Sequence, residues 1–477
     1  MTSREAAKTT DTAADPADRV AGADESYDLA ERLFGWTAPI QFAWVLGDDP
    51  GHDAVVDWAT ALARGGFGRR IVRTRVPVAR HRWVRSDRPP TVYAEPTILN
   101  DDADTAVGAW LDRRLRDVDL DPGAGRGFTV EYAHTRSGRV VLTLLVSHMI
   151  ADGHAVHDAL RDARRSAEHR LGSVRGLPTA SEVSGWSGVR GDLLDAASQI
   201  PAIVRASAVI GRAGVRAVLG RSATAAPVSD APSGSDVVGE PGDRPAPPQR
   251  DAEATLAVVD VPRAQFEARA AALGGTPNSL FTAVLTGVLR ATGHAIPPGG
   301  TRVCIAVDTR SDGDDRANAS GGVWIRLAGP VGPETGLGTI RRLSKEAFAR
   351  YAATDDAVVD HLQAVARLLP DPVLGRVMKA VPGPDITVSN LGAAPAESLA
   401  PLGTPAERFA IRAVMQGRSA ADRRAQGPAL AAWSVQYADT VTVTVFGIHP
   451  DLLGDPAVVR SVLAAELTRW GLDHRFW

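Results

Sequence analysis

The chain has 477 residues, 44% of them hydrophobic, and a formal net charge of −3. That length exceeds what one hydrophobic core usually serves, so two lobes are expected, and the near-neutral charge argues against a nucleic-acid binder, which concentrates a basic excess on one face. Cys304 is the only cysteine, which rules out an intrachain disulfide or a cysteine-rich metal cage and fits a reducing, cytoplasmic compartment.

The first 26 residues, with charges but no apolar core behind them, read as a disordered tail rather than a leader. No later run approaches the ~18 to 20 apolar residues that span a bilayer. A globular pattern runs from 27 to 221 as a first lobe. Within it Val140 to Val146 reads as a buried strand, and the residues after Gly153 keep apolar side chains at a helical period. Residues 184–223 repeat arginine every few positions against Leu, Ile, Val and Ala, with Pro201 placed to kink the helix. Such a helix either lies on an anionic membrane or meets an acyl chain, as a peripheral contact, or packs on its own lobe. Residues 222–252, rich in Pro, Gly, Ser and Asp, read as a flexible crossover linker.

The second lobe, 253–477, opens with the strand "ATLAVVDVP". Thr276 and Pro277 then form an N-cap and first helical residue for a helix whose Leu280, Phe281, Val284, Leu285, Val288 and Leu289 share one apolar face. Near the C-terminus "DTVTVTVFGIHPDLLGDPAVVRSVLAAEL" echoes "RVVLTLLVSHMIADGHAVHDALRDARR": strand, loop with His, Asp and Gly, then amphipathic helix. The echo suggests two related lobes, although two α/β units also converge on such a pattern.

His148 ends the strand of the first copy. A histidine there is held rigidly and partly desolvated, which suits a general base whose neutral form dominates near pH 7. The alternative is a structural histidine capping the next helix.

Four stretches together resemble the CoA-dependent acyltransferase superfamily, which contains chloramphenicol acetyltransferases, nonribosomal peptide condensation domains and wax ester synthase/diacylglycerol acyltransferases. "SHMIADG" looks like the family's HHxxxDG. "PNSLFTAVLTGVLRATG" with "TRVCIAVDTRSDGDDRANASGG" is similar to its second-lobe helix, strand, arginine and asparagine. "ITVSNLG" is similar to its late Ser-Asn strand, and "VTVTVFGIHPDLLGDP" to its closing strand and loop. The resemblance implies an α/β fold of two chloramphenicol acetyltransferase-like lobes, a pseudo-dimer with a central tunnel. By it, His148 removes the acceptor's proton during attack on a thioester, and the Gly153 N–H lies near the developing oxyanion. Asp152 points away from the reacting atoms and pairs with Arg310 to hold the loop. Ser389 and Asn390 line the tunnel, where they either bind substrate or satisfy buried backbone groups.

One position departs from the family pattern: Ser147 stands where its first histidine would be. Ser147 is then a substrate-side neighbour of His148 and not a nucleophile, since no G-x-S-x-G elbow surrounds it. The crowding of His148, Asp152, His154, His157 and Asp158 matches no recognised metal spacing, so no metal is assigned. His449, in the echo, reads as a packed histidine. Three functions remain open. The first is an acyltransferase with acyl-CoA or an acyl-carrier thioester as co-substrate, no bound cofactor, and a small-molecule or lipid acceptor. The second is a freestanding condensation-type enzyme joining carrier-protein-bound units, and the third a non-catalytic binding or scaffold protein of the same fold.

Overall fold

In the computed structural model the described residues are 18–20, 22–101, 105–169, 176–223, 251–311, 314, 316–353, 363–380 and 383–477. Of the expected linker, 224–250 lie outside them.

Two sheets face each other. The first has five strands in the order β11-β1-β6-β5-β4, built from β1 (Pro39–Leu46), β4 (Thr91–Ala94), β5 (Phe128–His134), β6 (Val140–Ser147) and β11 (Arg408–Ala413). The second has seven, β14-β7-β13-β12-β10-β8-β9, from β7 (Thr255–Pro262), β8 (Thr301–Asp308), β9 (Ser320–Leu327), β10 (Ile386–Ala393), β12 (Leu430–Tyr437), β13 (Thr440–Gly447) and β14 (Arg475–Phe476).

The duplication hinted at by the sequence echo is visible in the pairing. In the first sheet β1 and β5 flank β6 antiparallel, and β4 joins β5 in parallel. In the second, β7 and β12 flank β13 antiparallel, and β10 joins β12 in parallel. The middle strands of the two sets are buried on both faces but differ in composition: β6 is apolar except for Thr143 and Ser147, whereas β13 alternates valine in the core of its lobe with buried threonine on the other face. All eight residues of β6 are buried.

Helix α1 (Gly22–Phe34) precedes β1, α4 (Gly153–His169) follows β6, and α5 (Gly185–Ala223) continues through Pro201. In the second lobe α7 (Pro277–Ala291) starts where its cap signal places it: the Thr276 hydroxyl accepts the Ser279 N–H at 3.2 Å, and Pro277 is the first helical residue. Its apolar face packs with β8, β10 and β13 in the main core of that lobe. A second apolar seam joins the lobes, with Leu145 and Val414 on one side and Leu256, Ala431 and Phe446 on the other.

Two sequence boundaries need correction. The tail assigned to 1–26 extends too far, because α1 starts at Gly22 and Asp24 and Glu25 are buried. Arg367 binds Glu25 at 2.6 Å, and Arg19 binds Asp192 at 2.9 Å. A polar stretch resembles a solvated tail when its charges are in fact paired in the fold. The lobes also do not divide at one point in the chain. β11 belongs by sequence to the second lobe, yet it completes the first sheet by pairing antiparallel with β1, Ala413 opposite Ile40.

Candidate active site

β6 delivers His148 to the cleft through a tight turn. The Ser147 carbonyl accepts the Ile150 N–H, and the His148 N–H donates to Ala38 O, both at 3.0 Å. The imidazole is held by groups from two distant parts of the chain. The Tyr27 ring of α1 stacks on it with centroids 4.2 Å apart and planes inclined by 19°. Asn318, fully buried before β9, meets its edge, with Asn318 Oδ1 lying 2.9 Å from His148 Nδ1.

The bonds around Asn318 fix the tautomer of His148. Asn318 Nδ2 donates to Asp24 Oδ1 at 2.9 Å and to the His148 carbonyl at 2.8 Å. Both partners only accept, so the amide nitrogen must face them and the amide oxygen must face the imidazole. Nδ1 therefore carries the proton, and Nε2 is left as the basic nitrogen. Burial pushes the His148 pKa below its ordinary value, against the opposing pull of the Asp152 charge and of the hydrogen bonds to the ring. The neutral form dominates near pH 7.

Asp152 joins the lobes. Its carboxylate accepts both contacts from Arg310 Nη2, each at 3.0 Å, with the partners 158 positions apart in sequence. It also takes the Ala319 N–H at 2.8 Å and caps α4 by accepting the Ala155 N–H at 2.8 Å. Gly153 opens α4 at the cavity wall, where first-turn N–H groups lack intrahelical acceptors. A Cβ there would meet Leu391 Cδ2 at 2.7 Å, so a larger residue would require the Leu391 side chain to shift.

A cavity of about 500 Å³ extends from His148 between the sheets. Strand alternation sets its wall: Thr387 and Ser389 of β10 face it while Ile386 and Val388 point into the core. Trp36, Trp324, Trp433 and Ile411 make much of the rest apolar. Ser389 and Asn390 both line this cavity, and Asn390 Oδ1 also accepts the Gly392 N–H at 3.0 Å. Val414, Met415 and Phe446 line this cavity and a second one of about 500 Å³, whose wall includes Arg113, Arg116, Arg418 and Arg423. Arg423 donates to the carbonyls of Ile448 and Ala252, and Arg418 to those of Asp422 and Gln426. Asp117 and Glu253 share that wall, Arg116 lies 3.8 Å from Glu253, and the Asp422 and Asp251 charges act on Arg418 and Arg423, so the arginines are partly offset.

Ser147 is corrected. It does not line the cavity; its hydroxyl accepts the Met149 N–H at 3.3 Å and supports the turn. Ser147, the last residue of β6, is buried, and the cavity wall begins at His148 in the turn that follows. His157 is a core residue, bonded through Nδ1 to Ser398 Oγ at 2.6 Å and pushed down to about 3 by burial. His154 lines the cavity 3.7 Å from Asp308. Among the described residues no group of three or more His, Cys, Asp or Glu could hold a metal ion.

Three contributors escaped the sequence reading. Asp24 was assigned to the tail, Tyr27 marked only the start of the globular pattern, and Asn318 entered only as part of a family-like stretch. The one available signal was that last asparagine, eight residues after Arg310.

No protein-family model and no curated protein matches the sequence. Solved structures do match the fold. The condensation domain of the monacolin K polyketide synthase aligns over 95% of this chain and 96% of its own, at 14% identity and a TM-score of 0.53. The first condensation domain of the calcium-dependent antibiotic synthetase aligns over 95% and 96%, at 15% identity and 0.53. The wax ester synthase/diacylglycerol acyltransferase of Marinobacter aquaeolei VT8 aligns over 95% and 100%, at 15% and 0.51. The chain thus has the two-lobed, chloramphenicol acetyltransferase-like fold that condensation domains and the wax ester synthase share.

Proposed function

We propose that the protein is an acyltransferase that moves an acyl group from a CoA or carrier-protein thioester to a hydroxyl or amine, with His148 as general base. The observation that carries this reading is the fixed tautomer: Asn318 holds Nδ1–H and leaves a neutral, basic Nε2 on a ring that lines the cavity. As the acceptor oxygen or nitrogen attacks the thioester carbon, Nε2 takes its proton. The carbonyl pair moves onto oxygen, and the Gly153 N–H, with the N-terminal dipole of α4, stabilises that charge. Collapse of the tetrahedral intermediate breaks the C–S bond, and the thiolate leaves with the proton that His148 returns.

Two further features support the donor class. The cavity beside His148 is largely apolar, as an acyl group requires. The arginine-lined cavity that adjoins it suits the phosphate of a pantetheine-bearing thioester. A second reading, condensation between carrier-bound units, is favoured by the likeness to two condensation domains.

Free-thiol release is the test, run with acyl-CoAs of graded length and acyl-carrier proteins against alcohol and amine acceptors, for the native chain and His148→Ala. Turnover with acyl-CoA that disappears in His148→Ala supports the first reading. Turnover with carrier-bound donors alone supports the second. Ligand binding without thiol release from any donor leaves a binding protein of this fold.

A further inference from the structure

Helix α5 is built inside out. A surface helix of a globular protein buries its apolar stripe and shows its charges to water. Here Trp186, Leu193, Ile200 and Val204 are 89%, 56%, 57% and 62% exposed, and their spacing puts them on one side of the helix with Val189, also exposed. The side that meets the protein is polar. Asp192 accepts Arg19 Nη1 at 2.9 Å, Arg82 Nε at 2.7 Å and Thr74 Oγ1 at 2.8 Å. Asp195 accepts the Arg80 N–H and Arg80 Nη2, each at 2.7 Å. Gly191 lets the helix approach closely, and its carbonyl accepts Arg19 Nη2 at 3.0 Å.

The occupant of the outer face follows from charge. Asp192 and Asp195 are the only acidic residues between Gly185 and Ala223, against Arg190, Arg205, Arg212, Arg216 and Arg221. Both acids are turned inward into ion pairs, while Arg190 and Arg205 are exposed. An apolar face flanked by arginine, with its carboxylates withdrawn, matches the interface of a bilayer containing anionic lipid. The segment beside it continues the pattern: Arg367 Nη1 bonds Gln199 of α5 at 3.2 Å, and Leu368, Val373, Arg376 and Val377 nearby are exposed.

The other occupants fit less well. Residues 224–250 are dominated by Pro, Gly, Ser, Asp and Ala and hold no leucine, isoleucine or aromatic residue to cover the stripe. A second copy packed antiparallel would set arginines against arginines. No helix among the described residues is long and apolar enough to cross a membrane, so the contact lies on the surface.

We infer that α5 docks the protein on anionic membrane surfaces, its apolar face at the acyl boundary and its arginines among the headgroups. The test is co-sedimentation of the full chain with phosphatidylcholine vesicles, with or without a third of phosphatidylglycerol, at low and high salt. The native chain is expected to bind the anionic vesicles, weakly at high salt and weakly to phosphatidylcholine alone. The outward-facing triple variant Trp186→Ser/Leu193→Ser/Ile200→Ser should lose at least tenfold in affinity with unchanged circular dichroism, and Arg190→Gln/Arg205→Gln should lose the anionic preference. Bromine-labelled acyl chains should quench the native fluorescence more than that of Trp186→Phe. No binding of the native chain to anionic vesicles, or equal binding by the folded triple variant, overturns the proposal. So does a native dimer that the triple variant converts to monomer in sedimentation velocity, since the face would then belong to a second copy.

Discussion

The loop after β6 and the loop after β13 start from the same plan and end in different chemistry. Each leaves an interior strand of its sheet that has antiparallel neighbours on both sides, and places a histidine before a helix. At the first, the ring lines the cavity, stacked on Tyr27 and bonded to Asn318. At the second, His449 precedes the short helix Pro450–Leu453, its N–H donates to Ala429 O at 3.0 Å, and its Nδ1 is buried with no partner among the described residues. The aspartates differ in the same way. Asp152 reaches Arg310 across the lobes, whereas Asp451 pairs with Arg424 inside its own, at 2.6 Å. A strand-end histidine becomes usable as a base when something outside its own loop holds one nitrogen and leaves the other for substrate.

The largest expected effect is on His148 itself. Under the proposed mechanism His148→Ala should lower thiol-release turnover by about 10²- to 10⁴-fold, the range for a lost general base, without unfolding the chain. A folded His148→Ala protein that keeps its rate would falsify the role of the base.

The cross-lobe aspartate is next. Asp152→Ala leaves the Arg310 guanidinium with the Asp314 and Arg316 carbonyls but no carboxylate, and removes the acceptor of the Ala155 and Ala319 N–H groups, so a loss of ~3 to 5 kcal/mol is expected in chemical denaturation. Arg310→Ala should couple to it in a double-mutant cycle. Strictly additive losses would remove the loop-anchor role.

His157 lies on α4 and sharpens the contrast through acid stability. Burial holds its folded pKa at about 3 against an ordinary 6.5, with the neighbouring His154 and Arg161 adding to the shift. The unfolded chain therefore binds a proton that the folded one refuses between those values. Stability attributable to this site is complete above pH 6.5 and falls as pH drops toward 3, by a few kcal/mol in order of magnitude. His157→Phe should flatten that part of a stability-versus-pH curve, and an unchanged slope would place the acid sensitivity elsewhere.

Asn318 gives a smaller, more specific readout. Asn318→Ala should cost about tenfold in turnover, as second-layer partners of a functional histidine do. In Asn318→Asp the added carboxylate favours the imidazolium, so the acid limb of the rate profile should move up by ~1 pH unit. A purely structural asparagine would lower stability without moving that limb. Smallest of all, His449→Ala should change turnover less than about twofold, since surface-of-site effects below that size are within ordinary mutational noise. A larger loss would make the echo loop part of the site.

Much of this was readable from residue patterns, and the reasons it stopped are physical. β6, α4 and α7 carry strong apolar periodicity and a cap signal, so they stand where expected. The loop from His148 to Gly153 is local in sequence, so its histidine, aspartate and glycine can be singled out together. Asp24 and Tyr27 were not, because nothing local marks a charged, partly polar helix start as packing against a loop more than 120 residues away. β11 escaped for a similar reason: a short strand does not declare which sheet it will join. The ring contact and the sheet assignment are tertiary facts, decided by which surfaces remain to be covered once both lobes have formed.

The hydrogen bond from His148 to Asn318 has one more implication. The histidine belongs to one lobe, the amide that sets its proton belongs to the other, and the carboxylate that orients the amide comes from α1. Under the proposed mechanism the base is therefore a three-part assembly rather than the property of a motif. An isolated first lobe, even if it folded, would carry the full HxxxDG signature on an imidazole free to exchange tautomers and to turn. Chimeras that swap whole lobes between proteins of this fold would succeed or fail on a polar contact that lies outside the motif by which such proteins are recognised.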